Sequence, residues 1–571
     1  MEGQGKTPRF SSQGIDDILI RYSFAKTGRS TWESNWQELA EYIIPERANI
    51  TTTSVPGDKK MSKIIDTTAL DALELWASGL NGLMTNDALD WFALKMEDDN
   101  LNGIQEISIW LEDTARRMHA AIRASNFQME IYEVYLDAGS LGTTSLYITE
   151  GVKTDLQFQA RHINEICVIE NSDGFVDTLF REFDLTARQV AQQFGEDALT
   201  EAMRKANSEK KEDQKFAILH YIYPRSDEKR EKDGNGEFKE HAKSLPFASV
   251  YIAKEEKKVI SEGGYHEFPY AVPRTKKMTG EIYGRSPAWN ALPDIKMVNA
   301  MCKTYLRTVQ KMADPPVSMP DEGYVMPVKL GPGGINYRST VGGSGADNND
   351  IKVIGSGSQP EFADKEIESR RKSIKDKFFY DLWILPEQPN MTATEVLERI
   401  QQKLRIIGPF LGRFQYELLK PIVQRVFGIM YRAGKLLDAP AQVIQSGGVD
   451  VVFTSPISDA QQAYQAEALN KTLMMAAPVF QADPSTMDNV DGDAVVRFYW
   501  DAMRAPMSLL RTVKARNGIR NARAQAQANQ QRMQEAMAMT EGAKNLKGTG
   551  IMEEITRGIA DQTGTTEGML Q

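Results

Sequence analysis

Four cations recur along one predicted helix and form the clearest chemical pattern in the sequence. Lys296, Lys303, Arg307 and Lys311 follow one another at steps of seven, four and four residues. At ~100° per residue, these steps keep the four side chains on one side of a helix. A basic stripe of this kind can attract a polyanion or meet acidic side chains of another copy of the chain. A solvated face is the plain alternative, and the spacing alone does not decide between them.

The helix that carries these cations has an apolar stripe on its opposite side. Its start is indicated by Ser286-Pro287, because a serine hydroxyl can cap the first turn and proline loses no hydrogen bond there. We expect the helix to run from Ser286 to about Met312, a length of about 40 Å, and Pro293 should either bend it or move its true start. The apolar stripe consists of Ile295, Val298, Cys302, Tyr305, Val309 and Met312.

A second long helix is predicted from Glu361 to Ile384, after a Pro- and Gly-rich excursion from Asp314 to Pro360. It mixes acids with bases, and its apolar line is thin. We therefore expect an antiparallel hairpin whose charges pair between neighbouring copies of the chain rather than within one subunit. The candidate subunit contacts are Glu366, Glu368, Arg370, Arg371 and Lys375.

A third helix follows the short loop from Leu385 to Met391. It opens with the capping-box pattern TATE at Thr392, in which hydroxyl and carboxylate satisfy backbone donors reciprocally. Kinks are predicted near Gly408 and near Pro421, because proline removes a ladder hydrogen bond and clashes with the preceding turn.

The order of these segments resembles the portal, or head-to-tail connector, of short-tailed bacteriophages. The resemblance rests on MTATEVLERIQQKL after the short loop and on GEIYGRSPAWNALPDIKMVNAM at the first long helix. It extends to GRSTWESNWQELAEYIIPER and DTTALDALELWASGLNGLMT nearer the N-terminus. It covers residues 15 to 515 and fades in the hairpin tip and in the C-terminal tail.

That family implies a dodecameric ring around a DNA channel, sited in the virion at the head-tail vertex and assembled in the host cytoplasm. The four cations, with Gln388 and Asn390 of the loop, would then line the channel. The loop should touch DNA sterically, because it carries one acid and no base. The implied partners are double-stranded DNA, other copies of the chain, the terminase large subunit, tail adaptor and tail tube proteins, major capsid and scaffolding proteins, and internal core or ejection proteins at the crown.

The expected fold class is α+β, mainly helical, and ring-forming. The domains are named after the wing, stem, clip and crown of the family. They are 1–141, the helical part of the wing; 142–283, its β-rich part; 284–313, the first stem helix; 314–360, the clip; 361–384, the second stem helix; 385–391, the channel loop; 392–434, a kinked helix joining wing and crown; 435–507, wing and crown; 508–547, a crown or barrel helix; and 548–571, a disordered tail.

Upstream of the hairpin, apolar side chains at helical spacing predict helices throughout residues 1–141. Two separate helices are expected there, Ile15 to Lys26 and one opening with a capping box at Ser30. Gly79 and Gly82 would allow a close helix crossing in a later helix. From residue 142 the period changes to two, which predicts a small antiparallel sheet.

The bulk properties exclude several classes of protein. A net charge of −10 argues against a domain that grips DNA tightly, since such domains are usually basic, but it suits a duct in which DNA slides. No apolar run approaches the ~20 residues of a membrane span, and MEGQGKTPRF has no signal-peptide core, so no membrane partner is expected. Cys167 and Cys302 are expected to be buried, reduced thiols.

No catalytic or cofactor-binding constellation is recognisable in the sequence. It lacks the GxxxxGK[ST] phosphate loop, its five histidines have no metal-ligand spacing, and the acidic DNVDGD lacks the distal glutamate of a calcium loop. We therefore expect no enzyme, metal or cofactor. Two rivals stay open at this point: a non-viral scaffold that encloses no DNA, and a nucleic-acid-processing enzyme with an acidic cluster.

Overall fold

A computed structural model gives the fold of the chain. It describes residues 12–53, 55, 57–102, 104–209, 211, 213–227, 230–231, 241–313, 317–318, 352–353, 360–384, 407–446, 449–453, 456–503, 505 and 509–548. The chain divides into two compact units, one of Met1–Asp98 with Trp110–Tyr464, the other of Asp99–Ile109 with Gln465–Gln571.

Long helices form the N-terminal part of the first unit. They are α1 (Ser12–Ile43), α2 (Thr68–Met84), α4 (Gln105–Arg123) from Trp110 onward, and α5 (Phe127–Ser140). The first turn of α4 and the short α3 (Asp99–Asn102) belong to the second unit. Their apolar faces enclose Trp36 and Trp76, both essentially inaccessible to water. The indole of Trp36 donates a hydrogen bond to the carbonyl of Leu141 (3.1 Å), which ties α1 to the end of α5.

The prediction of two separate N-terminal helices is wrong, because α1 continues through Gly28 and Ser30 without a break. Arg29 supplies the physical reason. Its buried guanidinium donates to the carbonyls of Ile163 (2.8 Å) and Asn164 (3.1 Å) and pairs with Glu33 one turn later. These tertiary contacts fix the middle of the helix and override the local capping signal.

The expectation of helices only over residues 1–141 is also wrong, since a strand, β1 (Phe92–Met96), lies among them. It pairs antiparallel with a strand near the end of the first unit, Val449–Phe453. The strand β1 was not predicted, because the partner that the structure shows lies far along the chain and no local turn joins the two.

Two antiparallel sheets occupy the middle of the first unit, where the period-two pattern predicts one small sheet. A three-stranded sheet has the order β3-β2-β9 and a five-stranded sheet the order β4-β5-β6-β7-β8. The strands are β2 (Ser145–Glu150), β3 (Leu156–Arg161), β4 (Ile166–Glu170), β5 (Val176–Thr186), β6 (Lys215–Pro224), β7 (Phe247–Ala253), β8 (Lys258–Tyr265) and β9 (Tyr270–Ala271).

Both faces of the five-stranded sheet are covered by helices. Ile15, Ile18 and Tyr22 of α1 pack on one face, where they meet Cys167 and Phe180. The other face is covered at one end by α6 (Ala187–Phe194) and α7 (Glu201–Ser208). Cys167 and Cys302 are free thiols and buried, as predicted.

The hairpin helices follow the sheets. The first is α8 (Pro287–Ala313), with Pro293 inside it, and the second is α9 (Pro360–Lys377). The second helix does not reach Ile384 as predicted, because Phe379 adopts a left-handed backbone (φ 55°) and a separate turn of helix, α10 (Tyr380–Trp383), follows. The tip contributes one two-residue ladder, β10 (Val317–Ser318) with β11 (Lys352–Val353).

The predicted loop 385–391 and the predicted start of the third helix lie outside the described residues. The helix is described from residue 407 onward, and a π turn, Gln415–Leu419, precedes α11 (Lys420–Arg432). The irregularity expected near Pro421 thus takes the form of this wider turn. The unit closes with α12 (Ala441–Ser446) and β12, the strand Val449–Phe453.

The second unit is helical over its described residues beyond 464. It contains the later part of α13 (Pro456–Ala482), then α14 (Gly492–Ala502) and α15 (Val513–Gly548). Asp493 of the acidic stretch binds Arg516 (2.7 Å) and Arg520 (2.6 Å) of α15. The side chains from 520 to 538 are exposed, as expected of a helix with little leucine. Within the described ranges no helix is both long and apolar enough for a membrane span.

Candidate functional site

The first hairpin helix begins where two tight turns approach each other. The hydroxyl of Ser286 accepts a hydrogen bond from the amide of Trp289 (3.0 Å) and donates one to the carbonyl of Ser140 (2.7 Å), which confirms the predicted cap. Gly142 has a φ of +87°, and a Cβ there would lie 2.5 Å from the carbonyl oxygen of Gly284. Only glycine fits this crossing, which fixes the origin of α8 against the end of α5.

A buried carboxylate on α8 joins the two hairpin helices. Asp294 accepts hydrogen bonds from Ser373 (2.9 Å), Arg370 (3.4 Å) and Lys377, all on α9. Burial alone would raise the pKa of Asp294, but the hydrogen bonds from Lys377 and Ser373 and the charge of Lys377 outweigh it and lower that pKa. The carboxylate is therefore ionised at neutral pH and holds α9 along α8.

A second polar cluster attaches the hairpin to the segment before α2. The side-chain oxygen of Asn299 on α8 accepts from the amides of Ile65 (2.7 Å) and Asp66 (3.1 Å). Asp66 in turn accepts from the guanidinium of Arg371 on α9 (2.8 Å from Nε, 2.7 Å from the second nitrogen). One loop thus binds both helices of the hairpin.

The base of the hairpin therefore packs against its own subunit, contrary to the expectation that its charges pair only between copies. Ile367, Ile374 and Phe378 of α9 are buried, so the few apolar side chains of this helix pack within its own subunit. Two candidate subunit contacts, Arg370 and Arg371, bind Asp294 and Asp66 of the same chain. Their role between subunits remains a proposal.

The remaining candidate subunit contacts lie on the exposed side of α9. Glu366 accepts from Arg370 one turn on (3.0 Å), and Glu368 pairs with Arg371. The ammonium of Lys375 lies 5.0 Å from the ring centre of Tyr380. These contacts are local to the helix and its end, and they leave the outer faces of the carboxylates exposed.

The outer half of the hairpin differs from its base. Apolar side chains continue along α8 beyond Cys302 but are exposed: Leu306 is 51% exposed, Val309 39% and Met312 52%. On α9 the corresponding end presents Phe362, which is 73% exposed. The apolar stripe of the sequence is thus buried near the sheets and uncovered toward the tip.

The predicted basic stripe also differs between the base of the hairpin and its outer half. Lys296 pairs with Glu38 of α1, whose hydrogen bond and charge raise the pKa of Lys296. Lys303, Arg307 and Lys311 are exposed and make no ion pair with any residue that the structure describes. Gln388 and Asn390 lie outside the described residues. Three of the six candidate channel residues are thus exposed cations on one surface of α8.

Comparison with known proteins assigns the chain to a family. The family described as "Bacteriophage head to tail connecting protein" matches residues 16–510. The chain belongs to this family. Among its relatives are the "Probable portal protein" of Bordetella phage BPP-1, 26% identical over 94% of this chain and 95% of that protein, and the "Portal protein" of Salmonella phage epsilon15, 27% identical over 93% and 95%.

This connector therefore has a structural role at the junction of a phage head and tail, and the resemblance seen in the sequence is confirmed. The finding favours a phage connector over a non-viral scaffold. Among the described residues of the connector, no group of three or more His, Cys, Asp and Glu side chains could hold a metal ion. Two buried histidines have hydrogen-bond partners within the fold. Nε2 of His119 lies 3.1 Å from the carbonyl oxygen of Phe92, and Nε2 of His220 lies 2.9 Å from the hydroxyl of Ser249.

Sequence reasoning missed the polar residues that hold the connector's hairpin in place, namely Asp66, Asp294 and Asn299. A signal was present for two of them. Asp294 and Asn299 fall on the same helical face as Ile295, Val298 and Cys302, and a carboxylate or amide on an apolar face needs a partner when it is buried. The identity of the partners was not readable, because they lie in α9 and in the segment before α2.

A glycine pair in α2 gives a matched test of how the end of the hairpin docks on the connector. A Cβ at Gly79 would lie 2.3 Å from the indole of Trp383, whereas a Cβ at Gly82 would meet no atom of the described residues within 4 Å. Gly79→Ala should therefore destabilise the first unit by about 1–3 kcal/mol through overpacking. Gly82→Ala should stabilise it by about 0.5–1 kcal/mol through helix propensity.

The two variants are compared by the midpoint of chemical unfolding, followed through tryptophan fluorescence. Opposite shifts are expected. Equal shifts of the same sign would show that α10 does not dock on α2 at Gly79.

Proposed function

We propose that the chain forms a dodecameric ring at the vertex where head and tail join, with a central channel through which double-stranded DNA is packaged and ejected. The match to the connector family over residues 16–510 carries this proposal. The uneven burial of the hairpin supports it. Its base is held by its own subunit, whereas its outer half exposes apolar side chains.

Neighbouring copies of the chain would bury the exposed outer half of the hairpin. Leu306, Val309 and Met312 together expose a continuous apolar stripe, and each Å² removed from water contributes about 25 cal/mol. In a closed ring each copy offers the same surfaces to the next, so an exposed stripe on α8 can meet the polar and apolar face of a neighbouring α9. Phe362, Glu366 and Glu368 lie on that exposed side of α9.

The regions of the ring follow from this arrangement. In the proposal α8 and α9 form the stem, residues 314–360 the clip, and the sheets with their helices the wing. The exposed helix α15 would bundle with its copies as the crown. Lys303, Arg307 and Lys311 would face the channel, where three cations per subunit in an acidic chain attract DNA locally without gripping it.

The proposed partners follow from these positions. The clip would meet the packaging motor, through the terminase large subunit, and later the tail adaptor and tail tube proteins. The wing would meet capsid and scaffolding proteins, and the crown would meet internal core or ejection proteins. Short strands such as β10 and β11 offer backbone edges to which strands of a neighbouring subunit can add.

Electron microscopy of the purified full chain tests the assembly. We expect rings whose central opening is somewhat wider than the ~20 Å of duplex DNA, because a B-form duplex must pass through it freely. Counting subunits in class averages tests the dodecamer. Monomers or open filaments at high protein concentration would contradict the ring.

The basic stripe provides a narrower prediction. Replacing Lys303 and Arg307 by glutamine should leave ring formation intact, because neither side chain pairs within the described subunit. Binding of short duplex DNA to purified rings should become less dependent on salt, by about one unit of the logarithmic slope for each phosphate contact removed. The measurement is the DNA dissociation constant between low and moderate NaCl.

A matched control replaces two exposed lysines of the other helix, Lys365 and Lys372, by glutamine. If the control changes the salt slope as much as the test variant does, α8 has no special exposure to DNA. If Lys303→Gln with Arg307→Gln abolishes rings, these two residues serve subunit contacts instead.

A further inference from the structure

A polar cleft separates the three-stranded sheet from the five-stranded sheet and plays no part in the function proposed above. Its volume is about 1050 Å³. Cross-strand neighbours on each sheet project into it, so its lining can be read from the register of the strands. Each wall carries one arginine among uncharged polar and aromatic side chains.

One wall is a row across the three-stranded sheet. Tyr147 on β2 lies opposite Gln159 on β3 and opposite Tyr270 on β9. Arg161 follows Gln159 by two residues and therefore shares its face. The rings of Tyr147 and Tyr270 are 4.8 Å apart, and the guanidinium of Arg161 lies 5.9 Å from the ring centre of Tyr147.

The opposite wall is a row across the five-stranded sheet. Arg181 on β5 lies opposite His220 on β6, which lies opposite Tyr251 on β7. The His220 and Tyr251 rings stack at 3.9 Å. Burial, with the charges of Arg181 and Arg161 nearby, holds the pKa of His220 well below its ordinary value, so this imidazole is neutral.

Of the two arginines that line the cleft, one has an ion pair and the other has none among the described residues, while the half-buried acid Glu182 is engaged by Lys26 and Lys254. Glu165 accepts a hydrogen bond from Arg181 (2.8 Å) and so compensates one guanidinium. Arg161 has no ion pair with any described residue, and its contact is with the neutral amide of Gln159. Burial and the nearby charge of Arg181 lower the pKa of Arg161, which still remains protonated at any physiological pH. A half-buried cation without a counter-charge is costly.

Two hydrogen-bonding groups in the cleft are also unused. The Nε of Arg161 is buried and has no acceptor, and the hydroxyl of Tyr270 is buried without a partner. Tyr270 as a whole is only 2% exposed and lines the cleft. Buried donors in folded proteins nearly always find an acceptor, so both groups indicate a missing one.

From this geometry we propose that the cleft binds a small oxyanion between Arg161 and the hydroxyl of Tyr270. The ligand is of the phosphate or carboxylate type, because planar guanidinium groups match both in geometry. Exposed acids, Glu150 and Asp184, stand at the rim and would repel a polyanion such as DNA. The ligand therefore carries one or two charges. The proposal does not depend on the ring or on its channel.

Calorimetric titration of the purified full chain tests the proposal with two probes, inorganic phosphate and acetate, each at constant ionic strength set with NaCl. We expect saturable binding of at least one of them, and the stronger probe identifies the ligand class. Arg161→Gln should weaken that binding about tenfold or more, since it removes a charged donor. Tyr270→Phe, which removes one hydroxyl, should weaken it about three- to tenfold.

Two controls and one stability measurement complete the test. Arg204→Gln removes an exposed arginine of α7, and Tyr431→Phe removes the hydroxyl of a half-exposed tyrosine. Both variants should bind phosphate and acetate as the unmodified chain does. Without phosphate or acetate, Arg161→Gln should not lower the thermal midpoint, because it removes an uncompensated charge. Absence of saturable binding of either probe overturns the proposal. If both Arg161→Gln and Tyr270→Phe bind the probe as tightly as the unmodified chain, the proposal is overturned as well. If Arg161→Gln does not fold, the binding affinity of Tyr270→Phe alone tests the proposal.

Discussion

Replacing Arg274 by methionine is expected to lower the stability of the first unit by about 3 kcal/mol, since it breaks a buried ion pair. Arg274 is 1% exposed. Its guanidinium binds Glu417 through two nitrogens (2.8 and 3.1 Å) and also binds Glu170. Methionine fills much of the same volume but leaves the buried carboxylate of Glu417 without its main donor.

The position of Arg274 makes this loss consequential for assembly. Its guanidinium also donates to the carbonyls of Gly174 (3.0 Å) and Ile282 (3.3 Å). One side chain therefore joins the β4-β5 turn, the segment that leads into α8, and the π turn before α11. Loosening this junction should misdirect the hairpin, so Arg274→Met should also reduce formation of the ring proposed above.

Hydrogen exchange followed by mass spectrometry measures the loss of stability segment by segment. It is preferred to a global unfolding curve, because a chain of two units need not unfold in one step. Faster exchange is expected in residues 170–176 and 272–285. The matched control is Arg413→Met, since Arg413 binds the same carboxylate (3.1 Å) from a position 35% exposed. The control should change stability by less than about 1 kcal/mol. Equal effects of the two substitutions would show that burial of the Arg274 pair is unimportant.

The parts of the fold that were predictable are those whose signals are local. Strands β3, β4 and β7 lie in the segment where the change to period two predicts an antiparallel sheet, and α8 begins at the predicted serine cap. In each case the pattern and its terminating turn lie within a few residues of one another. Such signals do not depend on what the rest of the chain does.

The parts that were not predictable depend on partners distant in sequence. α1 is continuous because Arg29 reaches the carbonyls near β4, and β1 exists because Val449–Phe453 pairs with it. The second hairpin helix ends early because Phe379 takes a left-handed conformation that brings Trp383 onto Gly79. No pattern within these segments reports those contacts.

The candidate site shows the same division. Helical spacing placed Lys303, Arg307 and Lys311 on one surface, and all three are exposed. Spacing could not show that Lys296 is engaged by Glu38, nor that the arginines of α9 bind Asp66 and Asp294. A sequence reveals which side chains share a face, whereas the partner that faces them is a property of the tertiary structure.

Asp294→Asn is the substitution expected to release the hairpin most directly. It preserves the shape of the side chain but removes the charge that binds Lys377 and Arg370 of α9. Both cations are about a third exposed, so they can turn to water, and we expect a loss of about 2 kcal/mol, that of a hydrogen bond to a charged group. Faster hydrogen exchange in 360–377 and easier proteolysis of α9 are the readouts.

The pH dependence of this effect follows from the lowered pKa of Asp294. A carboxylate whose folded-state pKa lies below its ordinary value of 3.8 contributes stability that is fully present above that value and lost as the pH falls through the folded pKa. The difference between the unmodified chain and Asp294→Asn should therefore be constant from pH 7 to about pH 5 and shrink below pH 4.

Asp376→Asn is the matched control, because Asp376 lies on α9 but is exposed and makes no ion pair with the described residues. Its difference from the unmodified chain should be small at every pH. Should Asp294→Asn leave α9 as protected as before, the hairpin would be held by Ile367, Ile374 and Phe378 together with the pair of Arg371 and Asp66. The contacts of Asp294 would then set only the register of one hairpin helix along the other.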